Sequence, residues 1–106
     1  MVSAEIFKNN AGLMTGFSIT GHANTAPRGL DIYCAGVSSL SQSVLLCMKN
    51  HLKREFEADF GSGLLMLKLK NPPDALTEAV FQTMLIGILE IAKIAPQAVE
   101  VKFTER

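Results

Sequence analysis

His22 stands twelve positions before Cys34 in the segment GHANTAPRGLDIYCAGVS, residues 21 to 38, with Asp31 between them. An imidazole within reach of a thiol makes a cysteine nucleophile: the ring takes the thiol proton and later hands it to a leaving group. Cys34 also falls where an apolar helical period begins. The first turn of a helix offers unpaired backbone N–H groups and the positive end of the dipole, and both favour thiolate. The competing reading is packing, since free cysteine is among the most buried residue types and behaves as a small hydrophobe. Cys47, amid Leu45, Leu46 and Met48, is expected to be of that kind.

A loop of twelve residues closes at modest entropic cost, so His22 can return to the Cys34 sulfur. His51 cannot: seventeen residues further along one helix, it lies about 25 Å away. It reads as a surface residue or a cation near the helix C-terminus. Asp31 has two possible tasks, capping the helix or orienting the His22 ring. Gly21 and Gly29 allow tight or mobile backbone on either side of the loop. The N–H groups of Cys34 and Ala35, at a helix start, are expected oxyanion donors. His22, Asp31 and Cys34 are also a conceivable zinc set, but one histidine and one cysteine without a CxxC pair make a weak metal signal, and no metal is expected.

These residues need elements to hold them. Val2–Lys8 and Leu13–Thr20 alternate and flank the turn cluster NNAG, residues 9 to 12, which predicts a hairpin. In the second strand Leu13, Thr15, Phe17 and Ile19 are expected on one face, and Met14, Gly16, Ser18 and Thr20 on the other. Gly21–Tyr33 has no period and reads as a long loop, of a length usually functional or mobile. From about Cys34 to Leu52, Val37, Leu40, Val44, Leu45, Met48 and Leu52 recur at helical steps. Arg54–Phe60 and Leu64–Lys70 form a second hairpin, with a Gly61-Ser62 turn that sets Glu55 opposite Lys68. After Pro72-Pro73, Asp74 is an N-cap and a helix runs to about Ile94. That helix is apolar nearly all round, which implies burial by two sheets or by a second subunit. Gly87 in its middle costs about 1 kcal/mol relative to Ala, so close packing is expected there. Val99, Val101 and Phe103 alternate as a last strand. The order ββαββαβ gives an α+β class, a largely antiparallel sheet packed on two helices.

Composition narrows the function. The chain has 106 residues, read as one domain over 1–106, with 48% hydrophobic residues and no Trp, ordinary for a packed fold. Lysine plus arginine and aspartate plus glutamate both number 10, and no basic stripe or RNA-binding motif occurs, so direct nucleic-acid binding is not expected. Zero net charge eases self-association. Cys34 and Cys47, thirteen residues apart on one helix, would lie about 20 Å apart, beyond the roughly 7 Å a disulfide spans. MVSAEIFKNN has no signal-peptide core, and AVFQTMLIGILEIA is too short and too polar to be a membrane span. A reducing cytoplasm is the expected compartment.

GHA at 21 to 23, followed by G-x-D-I-x-C-A-G-V-S from Gly29 to Ser38, resembles the signature of the ribosomal-processing cysteine protease (Prp) family. The element order, the length and the QTMLIGILEIA stretch are similar as well, so the likeness covers essentially the whole chain. It implies a small cytoplasmic endopeptidase, commonly a homodimer, that needs no cofactor. Its implied substrate is the N-terminal extension of a large-subunit ribosomal protein, cut after bulky aromatic residues. The family's cysteine and histidine fall on Cys34 and His22, its aspartate on Asp31 and its helix serine on Ser38. The loop between them, a flexible cover in the family, reads ANTAPR here, with Pro27 to stiffen it and Arg28 to add a positive charge. Two other functions compete. A non-catalytic ribosome-associated module or dimeric scaffold would explain the apolar second helix, but binding alone does not need His22, Asp31 and Cys34 together. A thiol-redox protein would want a resolving cysteine near Cys34, and there is none.

Overall fold

The computed structural model describes residues 1–21, 31–61 and 63–105, and at Asp31 the backbone alone. The order is β1 (Val2–Lys8), β2 (Met14–Thr20), α1 (Asp31–Asn50), β3 (Phe56–Gly61), β4 (Leu64–Leu69), α2 (Ala75–Ile94) and β5 (Val99–Glu105). The strands form one sheet in the order β3-β4-β2-β1-β5. Every pairing is antiparallel except β1 with β5. Alternation turns Val2, Ala4, Ile6, Phe17, Ile19, Leu65, Leu67 and Val99 towards the helices, while Ser3, Glu5, Ser18 and Lys68 take the opposite face. Phe17 and Phe81 meet edge to face at the centre, with ring centroids 6.2 Å apart and both side chains fully buried.

The β1–β2 turn has the expected chemistry. The Asn9 Oδ1 accepts from the N–H groups of Ala11 and Leu13, each at 3.0 Å, and Gly12 takes φ +84°. The strand faces depart from simple alternation at one place. Phe7 pairs with Gly16 but Lys8 pairs with Met14, so Thr15 is an extra residue. This bulge turns Met14 into the core, where it is fully buried, rather than onto the face of Gly16 and Ser18. The Met14 N–H donates to Glu78 Oε1 at 2.9 Å, so a helix side chain serves a backbone donor beside the bulge.

In the second hairpin the apolar faces match as expected, but the turn is one residue later. Gly61 pairs with Leu64, and Gly63 takes φ +74°. Glu57, not Glu55, is therefore opposite Lys68. Two glycines flank Ser62, and the alternating pattern allows either to take the left-handed position.

The helices pack antiparallel against each other at close quarters. A Cβ at Gly36 would press on Ile91 Cδ1 at 3.1 Å, and one at Gly87 on Leu40 Cδ1 at 2.8 Å, so both glycines let the helices approach. Asp74 caps α2 as expected: its carboxylate accepts from the Leu76 and Thr77 N–H groups, and the Asp74 N–H donates to Thr77 Oγ1. The Arg54 guanidinium, 2.6 Å away, is the main cause that holds the Asp74 carboxyl below its ordinary value. The expectation of two sheets around α2 is corrected. One sheet and α1 bury the stripe Thr77, Phe81, Met84, Leu85 and Ile88, while Leu76, Ile86 and Ile94 stay exposed. By length and composition α2 could cross a membrane, yet it packs here in the core of the fold.

Candidate active site

The helix that carries the thiol begins at Asp31, three residues earlier than its apolar period suggests. Its early residues are polar or exposed on one side, so the hydrophobic repeat starts after the backbone has already turned. Cys34 thus closes the first turn. Asp31 is the first described residue of α1. The Ala35 side chain is exposed.

Cys34 is 7% exposed and belongs to the buried stripe of α1 with Val37, Val44, Leu45 and Met48. Cys47, expected to be buried, is half-buried instead, because it lies at the outer seam between α1 and α2. Both thiols are free. Both lie on α1, as the argument against a disulfide between them requires.

Ser38 follows Cys34 by one helical turn and is exposed. With Gln42, one turn further, it walls a cavity of about 200 Å³ whose other sides are Gly21, Phe60, Gly63 and Leu65. The Ser41 hydroxyl beneath is already satisfied, donating to the Val37 carbonyl at 2.9 Å with the Ser38 carbonyl 3.1 Å away. Among the described residues, the open polar groups of this wall are therefore Ser38 and Gln42. The cavity joins the first half of α1 to the end of β2 and to the β3–β4 turn.

Gly21 is fixed by its backbone. Its N–H donates to the Gly63 carbonyl at 3.0 Å and its φ is +112°, and a Cβ there would collide with the Met1 carbonyl. The residue before His22 is thus pinned to the β3–β4 turn rather than free to swing. His22, Gly29 and the Asp31 side chain lie outside the described residues, as do Pro27 and Arg28. The Cys34–His22 contact, the role of the Asp31 carboxylate and the zinc alternative fall there too. Among the described residues no three histidine, cysteine, aspartate or glutamate side chains cluster as metal ligands.

Gln42 and Phe60 were not singled out by the sequence. Gln42 was legible in principle, because 34, 38 and 42 fall on one helical face. Phe60 was not, because its alternation marks it as a core residue, yet it is 63% exposed.

Comparison with known proteins follows the same lines. The family model described as cysteine protease Prp matches residues 1–100. No curated protein matches. The ribosomal processing protease Prp from S. aureus, in complex with a substrate peptide, superposes with a TM-score of 0.90 at 19% identity, covering 98% of this chain and all of that one. The same protease with a covalently linked product peptide gives a TM-score of 0.87 at 20% identity, with the same coverage of both chains. SMU.848 from Streptococcus mutans gives 0.83 at 26% identity, covering all of this chain and 96% of that one.

Proposed function

The chain belongs to the cysteine protease Prp family, and from that premise we propose that it removes the N-terminal extension of a large-subunit ribosomal protein. The observation that carries the reading is the placement of Cys34 near the start of α1, one helical turn before Ser38, which lines a cavity together with the glycine that precedes His22. In this scheme His22 takes the Cys34 proton and the sulfur attacks the scissile carbonyl. Backbone amides at the start of α1 receive the negative charge of the tetrahedral oxygen. As the C–N bond breaks, His22 returns the proton to the departing amine. Water, activated by the same ring, then hydrolyses the thioester and frees the thiol. Asp31 orients His22 or steadies the helix start, and Ser38 meets the bound peptide in the cavity. No step calls for a metal or a cofactor.

The chain acts as one protease domain over 1–106, works in the cytoplasm and forms a homodimer. Support for the dimer comes from α2, whose Ile86 and Ile94 are 58% and 68% exposed, an apolar surface suited to a second copy. The substrate is tested by incubating the purified protein with the precursor form of that ribosomal protein from the same genome and sequencing the new N-terminus. A single cut that frees the extension is expected; an intact precursor refutes the substrate.

A further inference from the structure

The ladder between β2 and β4 closes one rung past both strands. Gly16–Lys68 to Thr20–Leu64 run in one register. The next pair in that register is Gly21–Gly63, joined by the 3.0 Å hydrogen bond from the Gly21 N–H to the Gly63 carbonyl. Both residues hold left-handed backbone, φ +112° at Gly21 and φ +74° at Gly63. On the β1 side a Cβ at Gly21 would run into the Met1 carbonyl. Gly21 is therefore held between two backbones. Consecutive Cα atoms are about 3.8 Å apart, so the rung sets the point from which the chain goes on to His22. Gly63 itself belongs to the connection between β3 and β4, outside the segment that carries the histidine and the cysteine. Gly12 supplies a comparison. It also has left-handed backbone, φ +84°, but in the β1–β2 turn at the opposite end of β2, where a Cβ would meet nothing within 4 Å. It makes the same demand for glycine without the contact.

We propose that Gly63 is a positioning residue for the reaction: its carbonyl, by holding Gly21, places the His22 imidazole relative to the Cys34 sulfur. The inference rests on the protease reading of the site. An L side chain at position 63 disfavours φ +74° and turns the peptide plane that presents the carbonyl. The rung then loosens, and the ring shifts away from the thiol. The loss falls on the chemical step, because misplacing a reacting group by about 1 Å costs on the order of a hundredfold. Asparagine visits the left-handed region far more readily than alanine, so it keeps the carbonyl pointed at Gly21.

The test measures kcat and KM on a fluorogenic peptide spanning the bond cut in the precursor, for wild type, Gly63→Ala, Gly63→Asn and Gly12→Ala. Gly63→Ala is expected to lower kcat at least tenfold while KM changes less than threefold. It is also expected to slow the alkylation of Cys34 by iodoacetamide, followed by mass spectrometry without peptide, because the thiol loses its proton acceptor. Gly63→Asn is expected to recover kcat to within threefold of wild type. Gly12→Ala is expected to lower the Tm about as much as Gly63→Ala and to keep kcat within twofold, which separates positioning from lost stability. A kcat within twofold of wild type in Gly63→Ala, an equal loss in Gly12→Ala, or no recovery with asparagine overturns the proposal. Should Gly63→Ala not fold, hydrogen exchange on the wild-type protein keeps the test decisive. The Gly21 amide is expected to exchange at least a hundredfold more slowly than an unstructured amide, and an unprotected Gly21 overturns the rung. If the wild-type protein cuts neither peptide nor precursor but Gly63→Ala still slows Cys34 alkylation, the protease reading fails and the positioning stands. If it cuts while Gly63→Ala changes neither kcat nor alkylation, only the positioning fails.

Discussion

At Gly21 the chain passes from β2 towards His22 through a backbone conformation closed to other residues, hydrogen-bonded to Gly63. Gly21→Ala is therefore expected to lower the Tm by several degrees and to reduce kcat more than KM, since the imidazole would be displaced rather than the peptide surface. A kcat within twofold of wild type would show that the pinned glycine does not position the ring. Cys47→Ala, by contrast, is expected to leave kcat/KM near wild type, because Cys47 lies at the outer seam of the helices. The candidate residues are legible at this scale. A histidine, an aspartate and a cysteine in one short segment signal chemistry through residue type alone. The burial of Cys34 and the pinning of Gly21 are not legible, because both depend on partners far away in the chain, such as Met1 and Gly63.

Elements are set by more local rules, and their energetics can be tested separately. The Asp74 cap ties the start of α2 to Arg54 just before β3. Its carboxyl is held below the ordinary 3.8 in the folded protein, first by the Arg54 hydrogen bond and then by the Thr77 N–H. A lowered folded value contributes stability above the unfolded value, and that contribution is lost as pH falls through the folded one. Asp74→Asn keeps a capping side chain but loses the charge. It is expected to melt a few degrees below wild type at pH 7, with the gap closing below about pH 3.8. A gap that stays constant into acid would assign the effect to packing. The cap was readable from Asp74 after the proline pair, and the helix faces from their 3.6-residue period. The exact turn of the second hairpin was not, since Gly61-Ser62-Gly63 offers two glycines to one left-handed position. The bulge at Thr15 was hidden as well, because it shows only when both strands are paired.

For the whole molecule, the ββαββαβ order followed from periodicity, but the sheet order β3-β4-β2-β1-β5 did not. Alternation tells which face of a strand is buried, not which strand lies beside it, and the β1–β5 pairing joins the two ends of the chain. The core that results is continuous, with Phe81 at its centre against Phe17. Phe81→Ala is expected to cost about 3–5 kcal/mol in denaturant unfolding; a loss below about 1 kcal/mol would mean that the core collapses around the gap. The exposed apolar face of α2 predicts a dimer by sedimentation at micromolar concentration, and Ile86→Asp with Ile94→Asp is expected to yield a folded monomer. A wild-type monomer at those concentrations would refute the dimer. In the proposed mechanism the sulfur at position 34 does the cutting. Its most direct test compares wild type with Cys34→Ala, by mass spectrometry, on the ribosomal precursor. A loss of at least about a thousandfold in kcat/KM with an unchanged Tm is the predicted result, and cleavage at the same bond by the alanine variant at a comparable rate would contradict it.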